Sequence, residues 1–422
     1  MTSWICCQIG AREHYSLPRG FAAQGSLRAL LTDAYVPPGH PWAMMPGTQG
    51  RRLRERYHPD LDGQQVLSFT ASLLSFEAMS RLQRLPAGWP HILRRNEWFQ
   101  DCALDALDRH HLLPAAPTTG EPTAVLAYSY AARRVLGEAR RRGATTVLAQ
   151  IDPGPLEQQV VREELERHPE WRACHDDIPA IYFERWHEEC TAADWIVVNS
   201  EWSREALIHQ GIPAGRIVVI PLIYLPPAMP SPPTPRQAPA GGFSMARPLR
   251  VLFLGSLIVR KGIHHALEAA RRLRQQPVEF YFVGIPGVDL PADLAEHPRL
   301  HWVGAVPRSR THDYYRLADL FLFPTVSDGF GLTQLEARAW GLPLIVSRRC
   351  GDVVRDGETG IVLRENSAET IVEAIEGFLA QPERLEAMSH AALAPDPRFT
   401  PRAVISQFAA LASPAPSPSS TP

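Results

Sequence analysis

The sequence predicts an α/β protein of two doubly wound, parallel-sheet domains in tandem, and three observations carry that reading. The chain has 422 residues, beyond the roughly 250–300 at which a single hydrophobic core stops growing. Short continuous apolar runs alternate with helix-length amphipathic stretches along most of it, the pattern of parallel sheets covered on both faces. The rhythm breaks where proline crowds the chain, at Pro226, Pro227, Pro230, Pro232, Pro233, Pro235 and Pro239, followed by Gly241-Gly242. Proline fixes φ and lacks an N–H, so residues 225–248 can form neither a helix nor a central strand and read as an interdomain linker.

Before the linker, residues 1–224 offer strands at Trp4–Ile9, Ala124–Tyr128, Thr146–Ile151, Trp195–Asn199 and Ile217–Ile220. Helices fit Tyr130–Arg142, Leu156–Arg167 and Trp202–Gln210. The stretch from about 34 to 122 departs from the rhythm. It is rich in Pro and Gly at Tyr35–Gly50 and basic at Arg51–Arg56, with helices expected at Ala71–Leu82 and Glu97–His110. It reads as an insertion concerned with an acceptor rather than with the fold. After the linker, residues 249–395 offer strands at Arg250–Leu254, Glu279–Val283, His301–Val303, Leu320–Pro324 and Leu344–Ser347, with helices at Lys261–Arg274, Leu332–Gly341 and Ser367–Ala380. The Pro/Ser-rich 413–422 reads as a disordered end.

A hydrophobic content of 45%, a charged content of 21% and a net charge of -2 belong to an ordinary globular protein with no global attraction for nucleic acid. Cys6, Cys7, Cys102, Cys174, Cys190 and Cys350 form no C-x-x-C pair, so neither a zinc knuckle nor a disulfide framework is indicated. The apolar run Trp4–Cys7 is too short for a leader, and no stretch approaches the ~18–20 apolar residues of a membrane span. A reducing, cytoplasmic location is the default expectation. The pairs His110-His111 and His264-His265 lack partners at ligand spacing and read as surface or helix-face residues, so no metal site is expected. Arg51–Arg56, Arg133-Arg134 and Arg140–Arg142 read first as solvated helix faces and second as peripheral contacts with an anionic membrane. Phe76, Trp98 and Phe99 read as core.

The chemistry concentrates after the linker. Leu320–Pro324 reads as a buried strand and Leu332–Trp340 as the next helix, with Gly329 and Gly331 flanking Phe330 between them. Glycines let the backbone approach a ligand, and the free amides and dipole of a helix N-terminus favour an anion such as a diphosphate. Asp328 and Glu336 bracket this loop. Carboxylates repel phosphate, so their useful partners are hydroxyl groups, and a nucleotide sugar carries hydroxyls on both sides of a diphosphate. A second loop, Gly255–Gly262, follows the strand Arg250–Leu254 and places Arg260 and Lys261 at a helix N-terminus. Cations there oppose the dipole unless an anion occupies the site.

These residues resemble the motifs of the retaining, nucleotide-sugar-dependent glycosyltransferases with the GT-B fold, of the group 1 or family four type. The match runs through Leu252-Phe-Leu-Gly255, Lys261-Gly262, Gly329-Phe-Gly-Leu332, Leu335-Glu-Ala337, Gly341-Leu-Pro343, Gly351, Asp356-Gly357 and Thr359-Gly360, in order. It is weaker at Ala193–Pro221. The resemblance implies two Rossmann-like domains facing across a cleft, no divalent metal or cofactor, and a final helix, Pro401–Leu411 within residues 396–412, crossing back to the first domain. It also implies that Lys261 neutralises the leaving diphosphate, with Arg260 as helper, that Glu336 holds the ribose hydroxyls and that Asp328 holds the donor sugar. Backbone amides of Gly329, Phe330, Gly331, Leu332 and Thr333 would hold sugar and phosphates, with Gly255 and Ser256 beside them and Gly304 and Val306 near the nucleobase. Three positions depart from the pattern. Asp328 stands where Glu is commoner, Ser256 where many members have Arg, and Leu222-Ile-Tyr224 where Gly-Val-Asp is usual.

The first half says less. Gly10 fits the place of the glycines that face the diphosphate in such enzymes, and Arg12, Glu13 and His14 follow at a cleft-facing strand end. Thr146–Ile151 ends likewise in Asp152-Pro-Gly154. Front-face attack lets the leaving phosphate take the acceptor proton, and His14 and Asp152 are the candidates for an added side-chain base. The expected partners are a nucleotide-sugar donor and a glycan, lipid-linked or small-molecule acceptor, in cell-surface polysaccharide or glycoconjugate assembly. The alternatives are a nucleotide-sugar epimerase or hydrolase on the same fold, and a non-catalytic partner of an active transferase.

Overall fold

The computed structural model describes residues 2–114, 122–174, 178–226 and 232–412. Both halves form the expected parallel sheets. In the first, β1 (Ser3–Gln8), β2 (Leu27–Thr32), β3 (Val66–Ser68), β4 (Thr123–Tyr128), β5 (Thr145–Ala149), β6 (Trp195–Val198) and β7 (Ile217–Val219) stand in the order β3-β2-β1-β4-β5-β6-β7. In the second, β8 (Leu249–Leu254), β9 (Val278–Val283), β10 (Leu300–Gly304), β11 (Leu320–Phe323), β12 (Leu344–Val346) and β13 (Gly360–Val362) stand in the order β10-β9-β8-β11-β12-β13. Every pairing within both sheets is parallel. The central strands are buried on both faces, which is why their sequences are apolar runs rather than alternations.

One face of the first sheet packs Ile5, Cys7, Val125 and Leu148 against Phe99, Leu107, Val135 and Leu136. The other packs Trp4 on Phe21, stacked at 4.6 Å, with Phe408 edge-on to both at 5.9 and 5.7 Å. Phe408 belongs to the final helix Pro401–Ala410, which packs on the first domain through Val404, Ile405 and Phe408. In the second domain Phe253, Phe280, Leu320 and Leu322 pack on Ile263, Leu267, Ala270 and Ile371. The same apolar cluster takes in Val160, Val161 and Leu165 of the helix Pro155–Arg167, which makes that first-domain helix the seam between the two.

The segment 34–122, read as an insertion, contributes to the fold itself. It supplies the edge strand β3 and the helix Trp89–Arg109, whose Phe99, Ala103 and Leu107 lie in the core. Phe76 and Trp98 stack on each other at 5.3 Å and are half-buried. The proline-rich stretch is fastened to the second domain. The backbone N–H of Arg236 donates to Ser389 Oγ at 2.7 Å, its guanidinium donates to the Tyr315 carbonyl at 2.7 Å, and Arg247 forks onto Asp319 at 2.8 and 2.7 Å. Residues 227–231 of that stretch and the end 413–422 lie outside the described residues. No described helix is long and apolar enough to cross a membrane.

Candidate active site

In each sheet the strand order reverses once, between β1 and β4 and between β8 and β11, and ligands of doubly wound folds bind outside the carboxyl ends of the strands there. The loops that follow β8 and β11 hold the donor-side candidates. They interlock through backbone: the carbonyl of Arg260 accepts from Val326 N at 2.8 Å and from Thr325 Oγ1 at 2.9 Å. Gly262 has φ +76°, and a Cβ there would lie 1.8 Å from the Pro324 carbonyl oxygen. Only glycine lets the first loop close on the second, which brings Lys261 onto Asp328.

Lys261 Nζ and Asp328 Oδ2 form an ion pair, with both side chains mostly buried. Burial pushes the Asp328 carboxyl up, but Lys261 and Arg260 outweigh it and hold the group below the usual carboxylate range. Lys261 also lies 5.4 Å from the centre of the Phe323 ring. Arg260 directs its guanidinium to the first domain, 3.5 Å from Glu157, and to the Ser327 carbonyl at 3.3 Å. Glu157, at the start of the helix Pro155–Arg167, accepts from Ser327 Oγ at 3.1 Å, and Ser327 Oγ accepts from Trp202 Nε1 at 3.1 Å. A Cβ on Gly329 would lie 2.0 Å from the carbonyl oxygen of Ile151. The glycine loop therefore rests directly on the first domain, beside Asp152.

Glu336 lies further along, in the helix Leu332–Ala339 that begins at Gly331. Its carboxylate accepts from Tyr315 OH at 2.8 Å and faces Arg308 at 3.6 Å. Both line a cavity of about 630 Å³ between the domains, with Glu13, His14, Arg19 and His58 on the opposite wall. Leu332 lines it too, whereas Lys261 and Asp328 lie outside it.

That opposite wall is held in a strained turn. Glu13, His14 and Tyr15 have φ of 43°, 53° and 59° in succession, a left-handed conformation costing about 1–2 kcal/mol for each non-glycine residue. Tertiary contacts hold it there. Tyr128 OH donates to Glu13 at 3.0 Å, Tyr15 OH donates to the Ala34 carbonyl at 3.1 Å, and Arg19 donates to the His14 carbonyl at 3.3 Å. Just upstream, Gly10 N donates to the fully buried Asp33 at 2.9 Å, which Arg56 and Arg95 neutralise at 2.8 and 2.6 Å. Strain maintained in this way is characteristic of functional sites. Burial, with Arg308, His58 and Arg19 nearby, brings His14 down to about 4, so its imidazole is neutral and weakly basic at neutral pH. Asp152 Oδ1 accepts from Tyr130 OH, Gln150 Nε2 and Gly154 N at 2.5, 2.9 and 2.9 Å. Burial still pushes its carboxyl above the ordinary range.

The structure thus distributes the expected residues over one interdomain seam. Lys261, Arg260, Asp328, Gly329 and Asp152 meet at its closed end, while Glu336, Leu332 and His14 line the open cavity. Phe330 is turned into an apolar cluster with Phe399, Leu335 and Val353, and Thr333 sits in the first turn of the helix from Leu332. Gly255 and the exposed Ser256 lie at the carboxyl end of β8, next to Gly284 at the end of β9, whose N–H donates to the Gly304 carbonyl at the end of β10 at 2.8 Å. Val306 packs against the cluster that contains Tyr315. Glu157 and Arg308 join the site without having been singled out, and Glu13, read only as a polar group at a cleft-facing strand end, lines its cavity. The signal for Arg308 was its place two residues beyond Val306; Glu157 offered only its position in a helix's first turn. One reading is overturned: His264 and His265 are buried, and their partners Glu164 and His168 come from the other domain. The basic clusters are largely paired, Arg133 with Glu97 and Glu188, Arg134 with Asp101, and Arg142 with Glu138 and Asp108.

Residues 248–381 match the family model of glycosyl transferases, group 1. A D-inositol 3-phosphate glycosyltransferase of Catenulispora acidiphila is 29% identical over 226 residues, 48% of this chain and 52% of that protein. Another, of Rhodococcus erythropolis, is 39% identical over 132 residues, 28% of this chain and 30% of its own. The chain spans about half the length, or less, of these curated relatives. The sucrose-phosphate synthase of Thermosynechococcus elongatus superposes with a TM-score of 0.61 at 18% identity, over 97% of this chain and 98% of that one. HepE of Anabaena, in complex with UDP, superposes with a TM-score of 0.58 at 13% identity, over 97% and 98%. At such identities the structural likeness is one of fold. The chain has the GT-B fold, and its second domain matches the group 1 glycosyl transferases.

Proposed function

We propose that the chain is a retaining glycosyltransferase that moves a hexosyl group from a nucleotide diphosphate sugar to an acceptor hydroxyl. The observation that supports it most is the Lys261–Asp328 pair at the β8/β11 switch point, with Glu336 in the helix that follows the second loop and first-domain polar groups across the cavity from it. In this reading the donor diphosphate takes Lys261 from Asp328. Asp328, freed of its cation, then accepts from sugar hydroxyls, and Glu336 accepts from the ribose. Amides from Gly329 to Thr333 hold the phosphates and sugar. The acceptor hydroxyl attacks the anomeric carbon on the face that the diphosphate leaves, and a departing phosphate oxygen receives its proton. Lysine and amides supply the positive charge, so no magnesium or manganese takes part in this step.

Binding of UDP by HepE makes a uridine diphosphate sugar the first donor to test. The chain is incubated with UDP-, GDP- and ADP-sugars, with and without acceptor glycans or lipid-linked sugars and without added magnesium or manganese. Nucleoside diphosphate released only when acceptor is present, with a product of unchanged anomeric configuration by NMR, is the expected result. Release without acceptor would instead mark a hydrolase. We place the reaction in cell-surface glycan assembly on the cytoplasmic side, with the exposed Arg51 and Arg52 as the contact with an anionic membrane. Flotation with anionic vesicles, lost on Arg51→Glu with Arg52→Glu, tests that contact.

A further inference from the structure

We propose that Glu164, His168, His264 and His265 form a zinc site that joins the two domains. The site lies outside the donor cavity, and two ligands come from each domain. Glu164 and His168 are one turn apart at the end of the helix Pro155–Arg167, and His264 and His265 open the helix Ile263–Arg272. Each offers one ligand atom, and the four atoms lie within 4.8 Å of one another. Glu164 Oε1 is 3.0 Å from His264 Nε2, 2.9 Å from His265 Nε2 and 3.5 Å from His168 Nε2. Ligands of a tetrahedral ion with bonds of ~2.0–2.1 Å stand about 3.3 Å apart, so these separations bracket the edge of such a shell.

Protons alone account for the cluster poorly. The side chains of His264 and His265 are 1% and 8% exposed; among the described residues His264 Nδ1 has no hydrogen-bond partner, and His265 Nε2 has only the Glu164 carboxylate, at 2.9 Å and poorly aligned for a hydrogen bond. Buried polar atoms are ordinarily paired, and His265 Nε2 is aimed at the carboxylate that a metal would share. The surrounding groups fit the outer shell of a metal site. Arg167 donates to the second Glu164 oxygen at 2.8 Å and leaves Oε1 to the histidines. Glu170 faces His168 Nδ1 at 3.7 Å, the carboxylate-behind-histidine arrangement that orients a ligating imidazole. Three imidazoles and one carboxylate suit zinc rather than magnesium or calcium. Two surface cavities, of about 810 and 610 Å³, reach the cluster and give an ion its entry.

Zinc here fastens the seam helix to the donor domain and restricts opening of the cleft. The test uses the full chain, stripped with chelator and titrated with zinc or cobalt(II). One ion per chain, the intense visible absorption of tetrahedral cobalt(II), and a thermal transition raised by several degrees in zinc are expected. His168→Gln with His265→Gln should lose all three while keeping the metal-free transition of the parent. His264→Asn, a second variant, should weaken zinc binding at least tenfold. No bound ion at micromolar zinc, or binding unchanged in both variants, overturns the proposal.

Discussion

The two sides of the cleft are built in different ways. On the donor side each chemical group sits a few residues beyond its own strand. Lys261 follows β8, Asp328 follows β11, and glycine conformation seats one on the other. On the opposite side the groups are held by contacts from afar. Glu13 is positioned by Tyr128, His14 by a left-handed turn, and Asp152 by Tyr130. Local construction yields a motif that survives as a word in the sequence. Construction by distant contacts yields a shape whose residues look ordinary when read one by one.

The comparison is tested hardest at the donor loops. Lys261→Ala and Glu336→Ala should each lower transfer by at least about tenfold, the loss expected for a transition-state contact. Unaltered turnover in both, with circular dichroism showing an intact fold, would sink the assignment. Gly329→Ala comes next. Its Cβ meets the Ile151 carbonyl oxygen at 2.0 Å, so the domains must part; several-fold slower turnover and a larger radius in solution scattering are expected. On the other wall Asp152→Asn should cost less than about tenfold if the departing phosphate takes the proton, whereas a side-chain base is worth ~10²–10⁴-fold. A loss in that higher range would make Asp152 the base and place chemistry on both sides.

The smallest effect concerns Glu157. Burial above all pushes its carboxyl from the ordinary 4.5 up to about 7. The folded chain therefore keeps a proton that the unfolded chain releases, and this contribution to stability falls as pH rises from about 4.5 to about 7. Glu157→Gln should flatten the thermal-unfolding profile across that window relative to the parent while changing turnover little. An unchanged profile would show that Glu157 does not titrate there.

Much of the fold was legible because buried parallel strands announce themselves as apolar runs, as at Val147-Leu148 and Leu320–Phe323. The strands that escaped notice had weaker signals. β3 and β13 are three-residue edge strands, and β2 carries Arg28 within its apolar run. The segment 34–122 was mistaken for an insertion because β3 is so short that the crossover around it shows no rhythm. At the candidate site, the loops that carry Lys261 and Asp328 and lead to Glu336 were legible from glycine punctuation. Arg308 and Glu157 acquire meaning only when two domains face each other. Glu164 and His264 stand 100 residues apart, so ligand spacing along the chain could never have paired them.

The chain passes between domains twice, outward after β7 and back ahead of the final helix, and the two passages are tied together: Tyr224 N donates to the Phe399 carbonyl at 2.9 Å. Two joined crossings behave as a door hinge with two knuckles, which permits a swing about one axis and resists swivelling. Any movement of one domain against the other is then confined to a single arc, which carries Lys261 along one path relative to the first domain. Cutting the chain after Phe399 would leave one knuckle, and the loss should appear as scatter in domain orientation by single-molecule distance measurement.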